Sequence, residues 1–189
     1  MPNWCRNSIA ISHNDPAMIE RMAECKGNVL ETFIPCPYST TPPLNLTDEP
    51  STHTNDGKVP GDWYSWRIDN WGIKWDIELN DVTIGTHFDG SGKTLYAEFD
   101  SAWSPPLEAY NKLRELGFVI TAMYKELGMM FCGIYDSDGD ENIEARIDFD
   151  DSDWRDKLPE ALAEYLEPDY QDHLEYMREM ENENDEAKV

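Results

Sequence analysis

Basic residues are scarce in this sequence. Fifteen Lys and Arg stand against 39 Asp and Glu in 189 residues, a formal net charge of −24. The fifteen are scattered, so no basic face offers itself to a phosphate backbone, and direct binding of DNA, RNA or an anionic membrane is not expected. Apolar runs near the roughly 20 residues that a membrane span needs are absent. Paired cysteines are missing too. Cys5, Cys25, Cys36 and Cys132 form no CxxC, which argues for free thiols in a reducing compartment rather than a zinc site. His13, His53, His87 and His173 are equally dispersed. There is no Gly-rich phosphate loop, HExxH or GxSxG, so no catalytic set, metal or cofactor is implied. Met1-Pro2-Asn3-Trp4 leads straight into a polar segment, so no secretory leader is expected.

Aromatic residues are plentiful: seven Trp, nine Tyr and six Phe. Disordered chains lack such anchors. The length suits one domain, or one domain with an appendage, and is enough for a substantial core.

Periodicity gives the element order. Ile9 and Ile11 alternate with polar or small neighbours as a strand. Asp15-Pro16 reads as an N-cap and first helical residue, Ile19, Met22 and Ala23 as its apolar stripe, and Gly27 as its stop. Val29 to Ile34 reads as a second strand, ended by Pro35 and Pro37. Residues 38–62 have no periodicity and read as a long inserted loop, functional or mobile. Val82 to Phe88 and Leu95 to Phe99 form a hairpin across Gly90-Ser91-Gly92. A helix follows Ser104-Pro105-Pro106, with Leu107, Tyr110 and Leu113 on one face. Phe118 to Tyr124, Met130 to Tyr135 and Ile143 to Phe149 make a three-stranded meander. The expected fold is α+β: a ferredoxin-like β-α-β-β-α-β sandwich with an extended antiparallel sheet over residues 1–152. Residues 153–189 form an acidic helical appendage, with Leu158, Leu162 and Tyr165 on one face, a break at Pro168 and a frayed tail from 181.

Three segments carry a resemblance. Pro2-Asn3-Trp4-Cys5, Asn70-Trp71-Gly72-Ile73-Lys74-Trp75-Asp76 and Phe99-Asp100-Ser101-Ala102-Trp103-Ser104-Pro105-Pro106 resemble a YubB-like family of phage and plasmid proteins, over roughly residues 2–135. The family usually has Thr where this chain has Ile73 and Ser101. The resemblance implies a mobile-element origin, a ferredoxin-like domain and, for the protein itself, the host cytoplasm. It implies no activity.

Four motifs have two accounts each. Trp63, Trp66, Trp71 and Trp75 either form a satellite core or line an aromatic pocket in which Arg67 and Lys74 grip an anion, with Trp103 nearby. Trp103-Ser104-Pro105-Pro106 is either a strand exit or an anion site at a helix N-terminus. Asp136 to Asn142 suggests calcium, but positions 6 and 12 of an EF-hand loop fall on Glu141 and Ile147, so an acidic hairpin tip fits better. The fourth is the acidic C-terminal third. Residues 136–189 hold 21 acidic and five basic residues, a net −16. Glu160, Glu164 and Glu167, then Asp172, Glu175, Glu179 and Glu183, recur at helical steps, about 5–6 Å apart along one face. Asp136, Asp138, Asp140, Glu141, Asp150, Asp151 and Asp153 precede them. Such a row is either a solvated helix face or a mimic of nucleic-acid phosphates, which are spaced about 3.4 Å per strand.

The leading functional expectation is a counter-defence binding protein of the anti-restriction or anti-CRISPR type. Its acidic face would occlude the basic nucleic-acid site of a host defence protein. The alternatives are a small-ligand or nucleotide-binding module using the Trp-rich segment, and a metal-dependent hydrolase.

Overall fold

The computed structural model describes residues 2–25, 27–39, 59–87, 92–139 and 142–186. The expected turns at Gly90-Ser91 and at Asp140-Glu141, and residues 40–58 of the expected loop, lie outside the described residues.

The fold is α+β. In chain order it runs β1 (Trp4–His13), α1 (Pro16–Glu24), α2 (Val29–Phe33), β2 (Tyr38–Ser39), β3 (Val59–Pro60), α3 (Trp63–Trp71), β4 (Asn80–Thr86), β5 (Lys93–Ala102), α4 (Leu107–Glu115), β6 (Val119–Glu126), β7 (Phe131–Asp136) and β8 (Ile143–Arg146). A 3-10 turn (Trp154–Lys157) and α5 (Glu160–Glu186) close it. Six strands form one antiparallel sheet in the order β4-β5-β1-β6-β7-β8, and β2 and β3 pair separately in parallel. β1 lies inside the sheet, with Asn7 opposite Phe99 of β5 on one side and Tyr124 of β6 on the other.

Side chains alternate across a strand, so this register sorts them onto two faces. Ile9 and Ile11, Leu95, Ala97 and Phe99, and Ile120 and Ala122 point to one face, where Ile19, Met22, Leu30, Phe33, Trp71, Tyr110 and Leu113 from α1–α4 cover them. Arg6, Asp100, Lys125, Cys132 and Ala145 fall in one row on the other face. There a smaller core of Cys132, Ile147, Phe149, Trp154, Leu162, Ala163 and Leu166 seats α5. Ile147 and Phe149 fall beyond the end of β8 and belong to this second core rather than to a strand.

Two expectations are corrected. Val29 to Ile34 is not a strand, because Val29–Phe33 is helical. The carboxylate of Asp76 accepts the backbone N–H groups of Leu30 and Glu31, both at 2.8 Å, and so satisfies donors that a helix start leaves open. Nor does the C-terminal helix break at Pro168, since α5 runs through it from Glu160 to Glu186. The proline removes one N–H and crowds the carbonyl of Glu164. Leu166 on one side, and Asp169 bonded to Lys125 on the other, fix the flanking turns to the sheet. A proline inside a helix is roughly 3 kcal/mol worse than alanine. Pro168→Ala is therefore expected to raise stability by up to about 3 kcal/mol in a urea titration. A midpoint that stays put or falls would show that the chain accommodates the ring without strain.

Among the described residues no helix is long and apolar enough to cross a membrane.

Candidate functional site

The three tryptophan-bearing segments named above meet in space. Trp4 opens β1, and the register places it opposite Ala102, the last residue of β5. Trp75 follows α3 and comes within 6.4 Å of Trp4, centroid to centroid, with the rings tilted by 35°. Trp103 lies just past β5. All three are substantially exposed: Trp4 at 54%, Trp75 at 43% and Trp103 at 57%. Trp ordinarily buries most of its surface. Three partly bare indoles at one end of a sheet therefore mark a surface suited to recognition.

Adjoining cavities run between them. One, of about 330 Å³, is lined by Trp4, Trp75, Asp76, Glu78, Asn80, Asp100, Ser101 and Ala102. A second, also about 330 Å³, is lined by Tyr64, Ile68, Gly72, Ile73, Lys74, Trp75, Ala102, Trp103 and Ser104. Trp75 and Ala102 are common to both. Each cavity is near the small end of ordinary ligand sites.

The frame beneath is fixed by a buried polar network. Asn7 Nδ2 donates to the Cys5 carbonyl and to Ser101 Oγ, both at 2.9 Å, and Tyr110 Oη donates to Asn7 Oδ1 at 3.3 Å. Ser101 Oγ donates to the Ser104 carbonyl at 2.7 Å, and the Trp103 N–H to the Asn3 carbonyl at 2.9 Å. Trp103 sits between these anchors with φ at 73°. That left-handed conformation is uncommon for a bulky residue and persists only where the surroundings impose it. Burial pushes the Cys5 thiol up to about 12, so it stays protonated and unreactive at neutral pH.

The expected pocket residues divide. Trp71 is fully enclosed in the main core, and partly buried Trp66 packs against it, edge-on to Trp71 at 6.2 Å. Arg67 is committed there too. Its guanidinium lies 4.3 Å from the Trp71 ring centroid and 5.4 Å from that of Trp63, and it pairs with Glu31 at 3.4 Å. It is therefore not placed to grip a ligand anion beside Lys74. Lys74, Trp75 and Trp103 do line the cleft. The division comes from Gly72. At φ 77° it ends α3 behind Trp71, with Asp62 capping the other end through Ser65 N–H. Trp71 and Trp75 thus do not share a helix face. Trp4, Tyr64, Glu78 and Asp100 are further cleft residues that sequence reasoning missed. The signal was the recurrence of Trp in three separated segments.

Asp76 lines the cleft but has a structural task. It accepts from Leu30, Glu31 and Ile77 N–H groups, each at 2.8 Å. Burial is the largest influence on its carboxyl and pushes it up, against those bonds and Arg67.

The acidic residues also divide. A helix turns roughly 100° per residue, so Glu160, Glu164, Glu175, Glu179, Asp172 and Glu183 fall within an arc of about 140° on α5. All six are exposed, and the arc faces away from buried Leu162 and Leu166. Every described side chain from Glu175 to Glu183 is exposed, so the helix stands clear of the domain there. Glu167, Asp151 and Asp150 are instead paired internally, with Arg155, Lys157 and His173. Asp153 lies in the turn before α5 and accepts from Ser152 Oγ. Asp136 and Asp138 stand at the β7–β8 turn, on a different element from the helix. Asp140 and Glu141 lie outside the described residues. Among the described residues no three His, Cys, Asp or Glu side chains converge to hold a metal ion.

Compared with known protein families, with characterised proteins and with solved structures, the chain matches none.

Proposed function

We propose that this chain is a binding protein whose α5 ridge occupies the basic nucleic-acid groove of another protein, in place of DNA or RNA. The observation that carries this reading is the placement of six exposed carboxylates along one side of α5, whose N-terminal part is seated in a core through Leu162 and Leu166. A 27-residue helix is about 40 Å long, close to one turn of duplex. Arg178 is its only Lys or Arg. Like charges at three- and four-residue steps destabilise an isolated helix. Here the anchoring of Leu162 and Leu166 offsets that repulsion in the first turns, around Glu160 and Glu164, and Glu175, Glu179 and Glu183 continue the row where the helix stands clear of the domain.

The setting we propose is counter-defence by a mobile element in the host cytoplasm, with a restriction or CRISPR protein as the partner class. The resemblance of the three Trp segments to phage and plasmid proteins supports it. We also propose that β1, α1, β4, β5, α4 and β6 form a ferredoxin-like unit, extended at its β6 edge by β7 and β8. The order β4-β5-β1-β6 with antiparallel neighbours supports that assignment.

The test is affinity capture from host lysate with wild type and a Glu175→Lys, Glu179→Lys, Glu183→Lys variant. Wild type is expected to retain a basic nucleic-acid-binding protein. Retention should fall steeply between about 50 and 200 mM salt and be displaced by duplex DNA. The variant should bind at least about a hundredfold more weakly, with an unchanged circular dichroism spectrum. Capture of only neutral or acidic proteins, or capture that DNA leaves intact, would remove the reading.

A further inference from the structure

The cavity between Trp4 and Trp75 has a chemistry of its own, separate from α5. Among the described residues its charged lining is wholly negative: Asp76, Glu78 and Asp100, with no Lys or Arg. Asp76 is taken up by backbone N–H groups. The carboxylates of Glu78 and Asp100 have no hydrogen bond or ion pair among the described residues. Arg6, opposite Asp100 in the β1–β5 register, is held by Glu98 at 2.6 Å and lines an adjoining depression that Asp100 also borders. The walls are two indole rings, whose faces carry negative quadrupole charge.

Aromatic faces beside unpaired carboxylates attract cations and repel phosphates. Trp75 already serves a cation within the chain, since Lys74 Nζ lies 5.1 Å from its ring centroid and lines the second cavity. Among the described residues no cation lies over the Trp4 ring. With ring centroids 6.4 Å apart, a group at the mouth can lie within about 6 Å of both. The polar network under Ser101 and Ser104 holds the β5 end in place, so little ordering is lost on binding.

We propose that this cleft binds an organic cation of the guanidinium or methylated-ammonium class. Such groups are weakly hydrated, stack on indole and accept a carboxylate at their edge. Arginine side chains and free quaternary amines share this chemistry, and the test separates them.

The full chain, labelled with ¹⁵N, is titrated with argininamide, choline and AMP while the indole N–H signals are followed. Argininamide or choline is expected to shift Trp4 and Trp75 with Kd on the order of 1 mM, and to leave Trp71 and Trp154 unmoved. Tighter binding of argininamide assigns the site to a protein side chain, and tighter binding of choline to a free quaternary amine. Asp100→Asn should weaken binding at least about tenfold, whereas Glu179→Gln on α5 should leave it unchanged. Three results would each overturn the proposal: no shift with either cation, shifts with AMP instead, or equal weakening by the two carboxylate variants, which would mean diffuse attraction to an acidic protein.

Discussion

Trp71→Ala is expected to lower the unfolding free energy by about 3–5 kcal/mol, a large part of the stability of an ordinary domain. The ring is fully enclosed by the α1–α4 layer. Its Nε1–H donates to the Ile34 carbonyl at 2.9 Å, tying α3 to the end of α2. Its face carries the Arg67 guanidinium at 4.3 Å. Truncation therefore does three things. It opens a cavity, leaves a carbonyl unpaired, and strips the main neighbour from a guanidinium whose Nε already has no hydrogen-bond partner among the described residues. Each adds to the loss. Trp75, four residues on, gives the contrast. It is 43% exposed and rests against Trp4 and Lys74, so Trp75→Ala should change stability by no more than about 1 kcal/mol. Urea titrations of the two variants decide the matter. A loss below about 2 kcal/mol for Trp71→Ala would place the ring outside the core.

The sheet was largely legible in the sequence, because β1, β5 and β6 bury alternate residues and period two survives in their composition. α1 was legible because its N-cap is local: Asp15 accepts from Ala17 N–H, with Pro16 at the first position. α2 was not. Its apolar residues Val29, Leu30 and Phe33 fit a short strand as well as a helix, and the group that decides is Asp76, more than forty residues downstream. Pro168 misled for the same reason. Its local preference is real, but contacts made by Leu166 and Asp169 with the sheet outweigh it. The acidic ridge was readable because its spacing is helical and the helix exists. The cleft was readable in part, through Lys74, Trp75 and Trp103, but Trp4 and Asp100 become neighbours only through the β1–β5 register.

A Leu162→Ala, Leu166→Ala variant is expected to release α5 from the sheet while the rest of the fold persists. Both leucines are fully buried against the small core built around Trp154 and Phe149. Each truncation costs about 2–5 kcal/mol. What remains is buried Ala163, the Tyr170 ring 5.0 Å from Trp154 and 5.6 Å from Phe149, and polar contacts: the Lys125–Asp169, Arg155–Glu167 and His173–Asp150 pairs and the Tyr165 hydroxyl donating to the Arg6 carbonyl at 3.3 Å. Polar contacts of this kind are worth little once water reaches them. A freed α5 has no reason to stay helical. Its carboxylates repel at every turn, and Pro168, in its third turn, removes a helix hydrogen bond. Amide protection in residues 160–174 should fall about a hundredfold or more, while β1, β5 and β6 stay protected. The main core lies on the opposite face of the sheet and keeps its own side chains. Net charge is unchanged in this variant, and every carboxylate is still present. If a loose polyanion were sufficient, capture of a basic partner would match wild type. If the ridge acts as a fixed array, capture should drop by a factor similar to the loss of protection, because only the small docked fraction can bind. Full capture by a variant with a demonstrably unfolded α5 would show that the geometry of the helix is irrelevant to its charge.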